Sequence, residues 1–341
     1  MRLQDLQIRI GTLASGSHNA ITDVPGVRVG HAWAPQSGAG LSVIQPFADG
    51  EPRRTYLGRW ALDGGDDTTG VGLAEDFGAL STPIVLSPAA ATGRVYDAMI
   101  QRGLRIDSGL SEDRGWPPAV LPIGGAGGEA LQVRAAFNDD LVNTAFERAA
   151  TGPVAEGQVG IGRSLIGFGC AAGVGTASRL IAGHVLGAFV VVNGGEPSRL
   201  SIAGYPAHLP VDAMTASRPR SAAAVIVTDA PLLPGQLERV AGRGAFGLTR
   251  VGLLDEFTRS ATIWALSTTT PVDDVESLTG TIEAGGVPED SLPPLFAAAA
   301  DALEEAVVGA LLAGADDPGS AVAVPMGDWP ERIRQSQRDA Q

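Results

Sequence analysis

The sequence predicts a layered α/β or α+β fold, and three observations support this prediction. Apolar runs typical of strands are interspersed with amphipathic segments typical of helices. Most of the strand-like runs are apolar at consecutive positions, as in sheets that are covered on both faces. The two kinds of segment do not alternate strictly, which disfavours a Rossmann domain. With 341 residues, 44% hydrophobic, and no long linker, we expect a single domain over residues 1–341.

Taken in chain order, short apolar runs predict eight strands, at 8–10, 26–31, 40–44, 83–86, 164–168, 187–193, 222–227 and 262–268. Longer amphipathic segments predict helices at 95–102, 141–150, 177–186, 234–248 and 295–312. The clearest helix is 295–312, because Leu303, Val307 and Leu311 recur at helical spacing after a Pro-Pro start. The polar segment 317–341 predicts a mobile tail.

Composition excludes several classes of chemistry. All 24 basic residues are Arg, so lysine Schiff bases, including those of pyridoxal phosphate enzymes, and Gly-Lys-Ser/Thr phosphate loops are absent. The net charge of −14 disfavours nucleic acid and anionic membranes as partners. The four histidines and the single cysteine do not stand at metal-ligand spacing. We therefore expect no metal and no cofactor.

The sequence also predicts where the protein resides. Cys170 is the single cysteine and cannot form an intrachain disulfide, which fits a reducing compartment. The first residues, Met-Arg-Leu-Gln-Asp, contain no apolar signal core, and no run of about 18 apolar residues predicts a membrane span. We expect a cytoplasmic protein with no membrane association.

The most informative segment begins at Ser221. This serine follows the loop-like sequence Ser217-Arg-Pro-Arg220 and opens an apolar run that ends at Thr228-Asp-Ala-Pro231. A serine at the first position of a buried strand is where an N-terminal-nucleophile hydrolase carries its nucleophile, with the freed α-amine as the base. A serine that merely begins a strand gives the same local pattern. If the first interpretation holds, cleavage between Arg220 and Ser221 yields chains 1–220 and 221–341.

Three other segments carry candidate site residues. Asn193 ends an apolar run just before Gly194, where its amide could donate to an oxyanion or simply form a turn. Gly175 and Thr176 precede the predicted helix 177–186, so their N–H groups could bind an anion or pack closely. Two hydroxyl residues, Ser260 and Thr262, begin a later strand. The glycine run 124–128 is better explained as a flexible turn than as an anion-binding loop.

Together these segments resemble one family over nearly the whole chain. It comprises the L-aminopeptidase/D-amidase-esterases (DmpA type), the β-peptidyl aminopeptidases (BapA type) and the nylon-oligomer endoamidase. The matching segments, in order, are Asn-Ala-Ile-Thr-Asp-Val-Pro-Gly-Val-Arg-Val-Gly-His at 19–31, the acid- and glycine-rich 62–70, the glycine-rich 156–179, Val-Asn-Gly at 192–194, the nucleophile segment 221–231 and the helix 295–312.

The resemblance implies a four-layer αββα sandwich that cleaves itself into two chains and assembles as a homo-oligomer of αβ heterodimers. It implies Ser221 as the nucleophile, Asn193 as an oxyanion donor and Ser260 as a supporting hydroxyl. We expect Gly194, Gly175, Thr176 and Thr262 to contribute to substrate binding. The implied substrate is a small molecule or a short peptide, cleaved at an amide, peptide or ester bond.

The chain departs from the family pattern at several positions. Arg220 stands where the family usually has a small residue or Asn. The family's acid and Tyr are absent from the stretch 131–137, and that acid holds the substrate's free amine. The family's Ser-Gly-Asp/Glu aligns with Arg259-Ser260-Ala261, so Ser260 takes the serine role only after a one-residue shift. These changes leave three alternatives open: an acyltransferase with the same nucleophile, a hydrolase of uncharged or N-blocked acyl groups, and an unprocessed binding protein.

Overall fold

The computed structural model describes residues 1–47, 54–63, 67–108, 118–207, 221–271, 285–314 and 327–339. The strands of this described part are β1 Arg28–Ala34, β2 Ala39–Gln45, β3 Thr55–Leu62, β4 Ala79–Leu80, β5 Ile84–Pro88, β6 Ala119–Ile123, β7 Ile166–Gly167, β8 Cys170–Ala171, β9 Gly173–Ile181, β10 His184–Asn193, β11 Ser201–Ile202, β12 Tyr205–Pro206, β13 Ser221–Thr228 and β14 Ser260–Pro271. The helices are α1 Val71–Phe77, α2 Thr92–Ile106, α3 Ala130–Ala136, α4 Asp139–Glu147, α5 Pro234–Arg250, α6 Leu292–Gly314 and α7 Trp329–Asp339.

Two mixed sheets form the centre of the molecule. The first sheet has the strand order β1-β2-β5-β6, and the second has the order β4-β3-β14-β13-β10-β9. Most neighbouring strands are antiparallel, but β5 pairs with β6 in parallel and β13 pairs with β14 in parallel. The parallel pair β13 and β14 is connected through α5, as a parallel crossover requires.

The two sheets face each other and are covered outside by helices. The core between the sheets contains side chains from both, among them Ile44, Leu86, Leu121, Val191, Val225 and Trp264. Helices α2, α3 and α4 bury their apolar side chains on the outer face of the first sheet. On the outer face of the second sheet, α5 and α6 do the same. The predicted four-layer αββα sandwich is therefore confirmed.

Small residues allow the helix layer to approach the second sheet closely. A Cβ atom on Gly175 of β9 would lie 1.8 Å from the carbonyl oxygen of Ala306 in α6. A Cβ atom on Gly247 of α5 would lie 2.0 Å from the carbonyl oxygen of Ala300. Since real Cβ atoms do not approach so closely, glycine at these positions sets the spacing between the layers.

One predicted helix, 177–186, is wrong, because this segment forms the hairpin of β9 and β10. The register places Ile181 opposite His184, so the loop contains two residues, Ala182 and Gly183. Their φ angles are 49° and 89°, the left-handed pair that a tight hairpin turn needs. Ala182-Gly183 was the local signal for this turn.

Other elements differ in extent or were not predicted. Residues 8–10 form no strand, and the predicted strand 164–168 is reduced to the two residues of β7. Strand β3 was missed because its centre reads Gly-Arg-Trp rather than an apolar run. The tail 317–341, predicted as mobile, contains α7, whose Trp329 and Ile333 are buried against the core of the second sheet. No helix in the described part has the length and apolar character to span a bilayer.

Candidate active site

Three polar residues lie side by side across the second sheet. Ser221 is the first residue of β13, and its direct partners are Asn193 at the end of β10 and Ser260 at the start of β14. On the same face of the sheet, Ala223 of β13, Val191 of β10 and Trp264 of β14 pack into the core between the sheets. The side chains of Ser221, Asn193 and Ser260 therefore project from the sheet face that meets the other sheet, at one edge of the sandwich.

Asn193 is held in a fixed orientation next to Ser221. Its Nδ2 donates to the carbonyl oxygen of Gly124 at 2.7 Å and lies 3.4 Å from the Oγ of Ser221. Gly124 directly follows β6, so this amide connects the two sheets. Asn193 is buried, with only 4% of the residue exposed. Because Nδ2 is anchored on Gly124 and directed at Ser221, the amide is preorganised to donate to an oxygen that bears negative charge beside that serine.

A cavity of about 190 Å³ opens at this row of residues. Its wall combines polar and apolar side chains from both sheets and from the segment before α1. The described residues that line it include Ser221, Ser260, Thr262, Gly124, Asp67 and Arg259. Ser221 is half-buried, whereas Asp67 and Arg259 are exposed to the cavity and to solvent.

One wall of the cavity is anchored on the first sheet. The Oγ1 of Thr69 donates to the carbonyl oxygen of Pro118 at 2.6 Å and accepts from the N–H of Val120 at 3.0 Å. The N–H of Thr69 also donates to the carbonyl oxygen of Val120 at 3.2 Å. These bonds join the Asp67–Thr69 segment to β6, so the acid at position 67 is presented from a fixed backbone.

The other predicted substrate-binding residues are placed differently. Thr262 lines the cavity, but Gly194, Gly175 and Thr176 are not among its described lining residues. The carbonyl oxygen of Gly194 accepts from the N–H of Phe168 at 2.9 Å. Gly175 packs against α6, as described above, and begins no helix. Of the two alternatives that the sequence left open for this segment, the structure shows close packing rather than a helix start that binds an anion.

Thr176 uses its hydroxyl within the scaffold. Its Oγ1 accepts from the N–H of Ile21 and donates to the carbonyl oxygen of Ala188, each at 2.7 Å. The N–H of Thr176 donates to the carboxylate of Glu156 at 3.0 Å. Burial raises the pKa of Glu156, although the nearby Arg2 opposes this shift. The contacts of Thr176 thus stabilise the packing of the N-terminal segment on β9.

The sequence motif at 19–31 also has a structural role. The side chain of Asn19 accepts from the N–H of Ser178 at 2.9 Å and donates to Glu305 of α6 at 2.7 Å. The carboxylate of Asp23 accepts from the hydroxyl of Ser178 at 2.7 Å. Burial alone would raise the pKa of Asp23, but its hydrogen bonds outweigh burial and lower the pKa. This motif therefore fixes the N-terminal segment to β9 and α6.

Other nucleophiles and bases are poorly placed. Cys170 is buried, and burial raises the pKa of its thiol to about 11, so it is a thiol rather than a reactive thiolate at neutral pH. The described residues that line the cavity include no histidine. Ser221 therefore has no side-chain base there of the kind used in a Ser-His pair. Arg220, the other predicted cleavage-site residue, belongs to 208–220 and lies outside the described residues.

Sequence reasoning did not assign a site role to Gly124, Asp67 or Arg259. The carbonyl oxygen of Gly124 orients Asn193, and the two charged residues lie on the cavity wall. Asp67 lies inside the segment 62–70 that matches the family, and Arg259 lies inside the aligned triplet 259–261. These matches were the available signal, but they did not show where either side chain points.

Comparisons with known proteins agree with this architecture. The model of Peptidase family S58 matches residues 19–322. The β-peptidyl aminopeptidase BapA of Sphingosinicella xenopeptidilytica is 31% identical over 341 aligned residues, which cover 87% of this chain and 81% of that protein. The structure of a β-aminopeptidase from a Burkholderia species is similar with a TM-score of 0.84 and 34% identity, covering 99% of both chains.

A further solved structure describes the fold. The L-aminopeptidase D-Ala-esterase/amidase of Ochrobactrum anthropi is similar with a TM-score of 0.82 and 27% identity, covering 99% of this chain and 98% of that one. It is described as a prototype of the serine aminopeptidases and a new variant of the Ntn hydrolase fold. The family model spans most of this chain, and the fold agrees over nearly its full length. The chain therefore belongs to Peptidase family S58 and is a hydrolase.

Proposed function

We propose that the protein is a self-processing serine hydrolase of the aminopeptidase and amidase type, with Ser221 as its N-terminal nucleophile. The observation that carries this proposal is the row of Asn193, Ser221 and Ser260 at the start of β13, beside a cavity. A serine in this position can act only if a base is close. Because the described cavity wall offers no histidine, the α-amine of Ser221 itself is the base that the geometry favours.

Self-processing would create this base. The Oγ of Ser221 attacks the carbonyl carbon of residue 220, the C–N bond to Ser221 breaks, and an ester forms while the α-amine is released. Water then hydrolyses the ester, which regenerates the hydroxyl and leaves chains 1–220 and 221–341. The two chains remain one domain, since β13 lies between β10 from the first chain and β14 from the second.

In turnover the same groups act on the substrate. The neutral α-amine takes the proton of the Ser221 hydroxyl as its oxygen attacks the carbonyl carbon of an amide, peptide or ester. The Nδ2 of Asn193 donates to the oxyanion, and such a donor contributes roughly 2.7–4 kcal/mol to transition-state stability. The leaving amine or alcohol takes the proton, and water then releases the acyl group from Ser221. A short peptide or a small amide fits this cavity.

Asp67 is the group we assign to the substrate's free amine. Asp67 is the one acidic residue among the described residues that line the cavity. The acid and the Tyr that the family usually carries are absent from 131–137. One relative is named a β-peptidyl aminopeptidase, and another is named an L-aminopeptidase D-Ala-esterase/amidase. We therefore propose substrates with a free N-terminal α- or β-amino acid residue. We also propose that the αβ units assemble as homo-oligomers.

Intact mass under denaturing conditions tests self-processing. We expect the purified wild-type protein to give two species that separate between Arg220 and Ser221 and together account for the 34.8 kDa chain. Ser221→Ala should remain one chain and should not hydrolyse α- or β-alanine p-nitroanilide. Ser221→Cys is the matched control, because it retains a nucleophile and should still be cleaved. A single wild-type species, or normal turnover by Ser221→Ala, contradicts the proposal.

The acyl-enzyme has its own test. Hydrolysis of an ester substrate in the presence of a primary amine should give the amide product in proportion to amine concentration, with unchanged total turnover. This partitioning requires an intermediate in which Ser221 carries the acyl group. The same experiment tests the acyltransferase alternative. If the amide is the main product even at low amine concentration, the protein is a transferase rather than a hydrolase.

A further inference from the structure

Arg259 differs from other arginines on the second-sheet side of the molecule. Arg199, Arg239 and Arg250 each lie within 2.8 Å of a carboxylate oxygen. Arg259 has no ion pair or hydrogen bond with any carboxylate among the described residues, although it lines the cavity beside Ser260. A guanidinium that lines this cavity and has no carboxylate partner among the described residues is available to bind an anionic ligand group.

The cavity wall places opposite charges on different elements. Asp67 precedes α1, whereas Arg259 precedes β14, and the two side chains do not form an ion pair although both line the same cavity. A substrate between them is thus offered a site for a cation and a site for an anion. The net charge of −14 disfavours the approach of anionic substrates to the surface as a whole, and Arg259 supplies a positive charge at this cavity.

The size of the cavity limits the substrate that can use both charges. Its volume of about 190 Å³ is smaller than the roughly 300–1,000 Å³ that is usual for ligand pockets. A short substrate therefore has both of its ends near the cavity wall. A dipeptide with free termini carries one ammonium and one carboxylate, which matches the single carboxylate and the single guanidinium of the described wall.

We infer that Arg259 binds the C-terminal carboxylate of the substrate, so that the Ser221 site prefers dipeptides with a free C-terminus over their amides. This inference rests on the proposed function, since it assigns the leaving amino acid of the same reaction. Arg259 suits this role because its planar guanidinium donates two parallel hydrogen bonds to a carboxylate. It is a specificity-determining residue and takes no part in bond cleavage.

The test compares two matched substrates. Ala-Ala and β-Ala-Ala are each assayed as the free acid and as the C-terminal amide, which have the same size but differ in charge. For the wild-type protein we expect kcat/KM to be at least about tenfold higher for the free acid, the usual size of a charge-assisted contact. The preference should fall as the salt concentration rises, because the guanidinium is exposed.

Variants at position 259 identify the group responsible. In Arg259→Gln the ratio of free acid to amide should fall to within about twofold of one, and Arg259→Lys should retain part of the preference. Arg332→Gln is the matched control, because Arg332 is a half-exposed arginine on α7 and should keep the wild-type ratio. A wild-type ratio near one, or an unchanged ratio in Arg259→Gln, overturns the inference.

Failure of the proposed function gives a different result. If the wild-type protein hydrolyses none of the four peptides, then the assigned reaction fails for them, and the same peptides can be titrated into the wild-type chain by calorimetry. Tighter binding of the free acids that is lost in Arg259→Gln would still support the carboxylate contact. Equal binding of acid and amide, or no binding of either, would overturn it.

Discussion

Asn193 and Ser221 are direct partners across the antiparallel ladder of β10 and β13, and the Nδ2 of Asn193 lies 3.4 Å from the Oγ of Ser221. The same nitrogen donates to the carbonyl oxygen of Gly124 in the first sheet. The candidate nucleophile and its neighbouring donor are therefore held by backbone pairing within one sheet and by a contact to the other. Their relative position depends on the register of two long strands rather than on a mobile loop.

Replacing Asn193 should slow catalysis more than it weakens substrate binding. We expect Asn193→Asp, which keeps the shape but removes the donor, to lower kcat by roughly 10²–10³ with a smaller change in KM, because the donor acts on the oxyanion. Intact mass should also show slower self-cleavage. Asn143→Asp, on α4, is the matched control. A fall in kcat of less than about threefold would argue against this role for the amide.

The pH profile should report the α-amine of Ser221. The amine acts as a base only when it is neutral, so kcat should rise with pH and reach half of its maximum near pH 8, the usual pKa range of such a group. The measurement is kcat of the processed protein at saturating substrate between pH 5 and pH 10, because the ammonium of the free substrate, which Asp67 is proposed to bind, titrates in the same range and would make kcat/KM fall again. A midpoint near pH 6.5 would instead indicate a histidine base, which the described cavity wall does not contain.

His31 should make stability depend on pH. Burial lowers its pKa to about 4, and its Nδ1 lies 2.8 Å from the Oγ of Ser42. Below pH 6.5 the unfolded chain binds a proton at this residue, while the folded chain stays neutral until about pH 4. The contribution of His31 to the free energy of unfolding is therefore complete above pH 6.5 and is lost as the pH falls towards 4.

Denaturant unfolding of the wild-type protein and of His31→Gln checks this contribution. The free energy of unfolding of the wild type relative to the variant should decrease steadily from pH 6.5 to pH 4. Taking the difference removes the opposite effect of Glu156 and Glu304, whose pKa values are raised by burial and which are common to both proteins. A difference that is constant over this pH range would contradict the shifted pKa.

Substitution of Gly175 should disrupt the contact between β9 and α6. The added Cβ of Gly175→Ala would lie 1.8 Å from the carbonyl oxygen of Ala306, so the helix must move. We expect a loss of about 3 kcal/mol or more in the free energy of unfolding, as for severe overpacking. Gly235→Ala is the control, because its Cβ meets no atom within 4 Å. Equal midpoint temperatures of thermal unfolding for the two variants would refute the close approach of β9 to α6.

Much of the fold followed from local patterns. The apolar runs that became β2, β5, β10 and β13 were visible because strands buried on both faces need apolar residues at consecutive positions. Helix α6 was visible because its apolar residues recur at helical spacing. The hairpin of β9 and β10 was not recognised, since small residues such as Gly175 and Ala177 carry no clear period. The formation of this hairpin depends on the Ala182-Gly183 turn and on the packing of β9 against α6.

The sequence by itself determined the segments that carry Ser221 and Asn193, because each stands at one end of a buried apolar strand. Only the tertiary structure decided which residues meet them. The parallel register sets Ser260, and not Arg259, opposite Ser221, and it leaves Arg259 at the cavity with Asp67. Strands β13 and β14 are connected through the 17-residue α5, so their register depends on how both sheets and their helices pack. No local pattern around residue 260 contains that information.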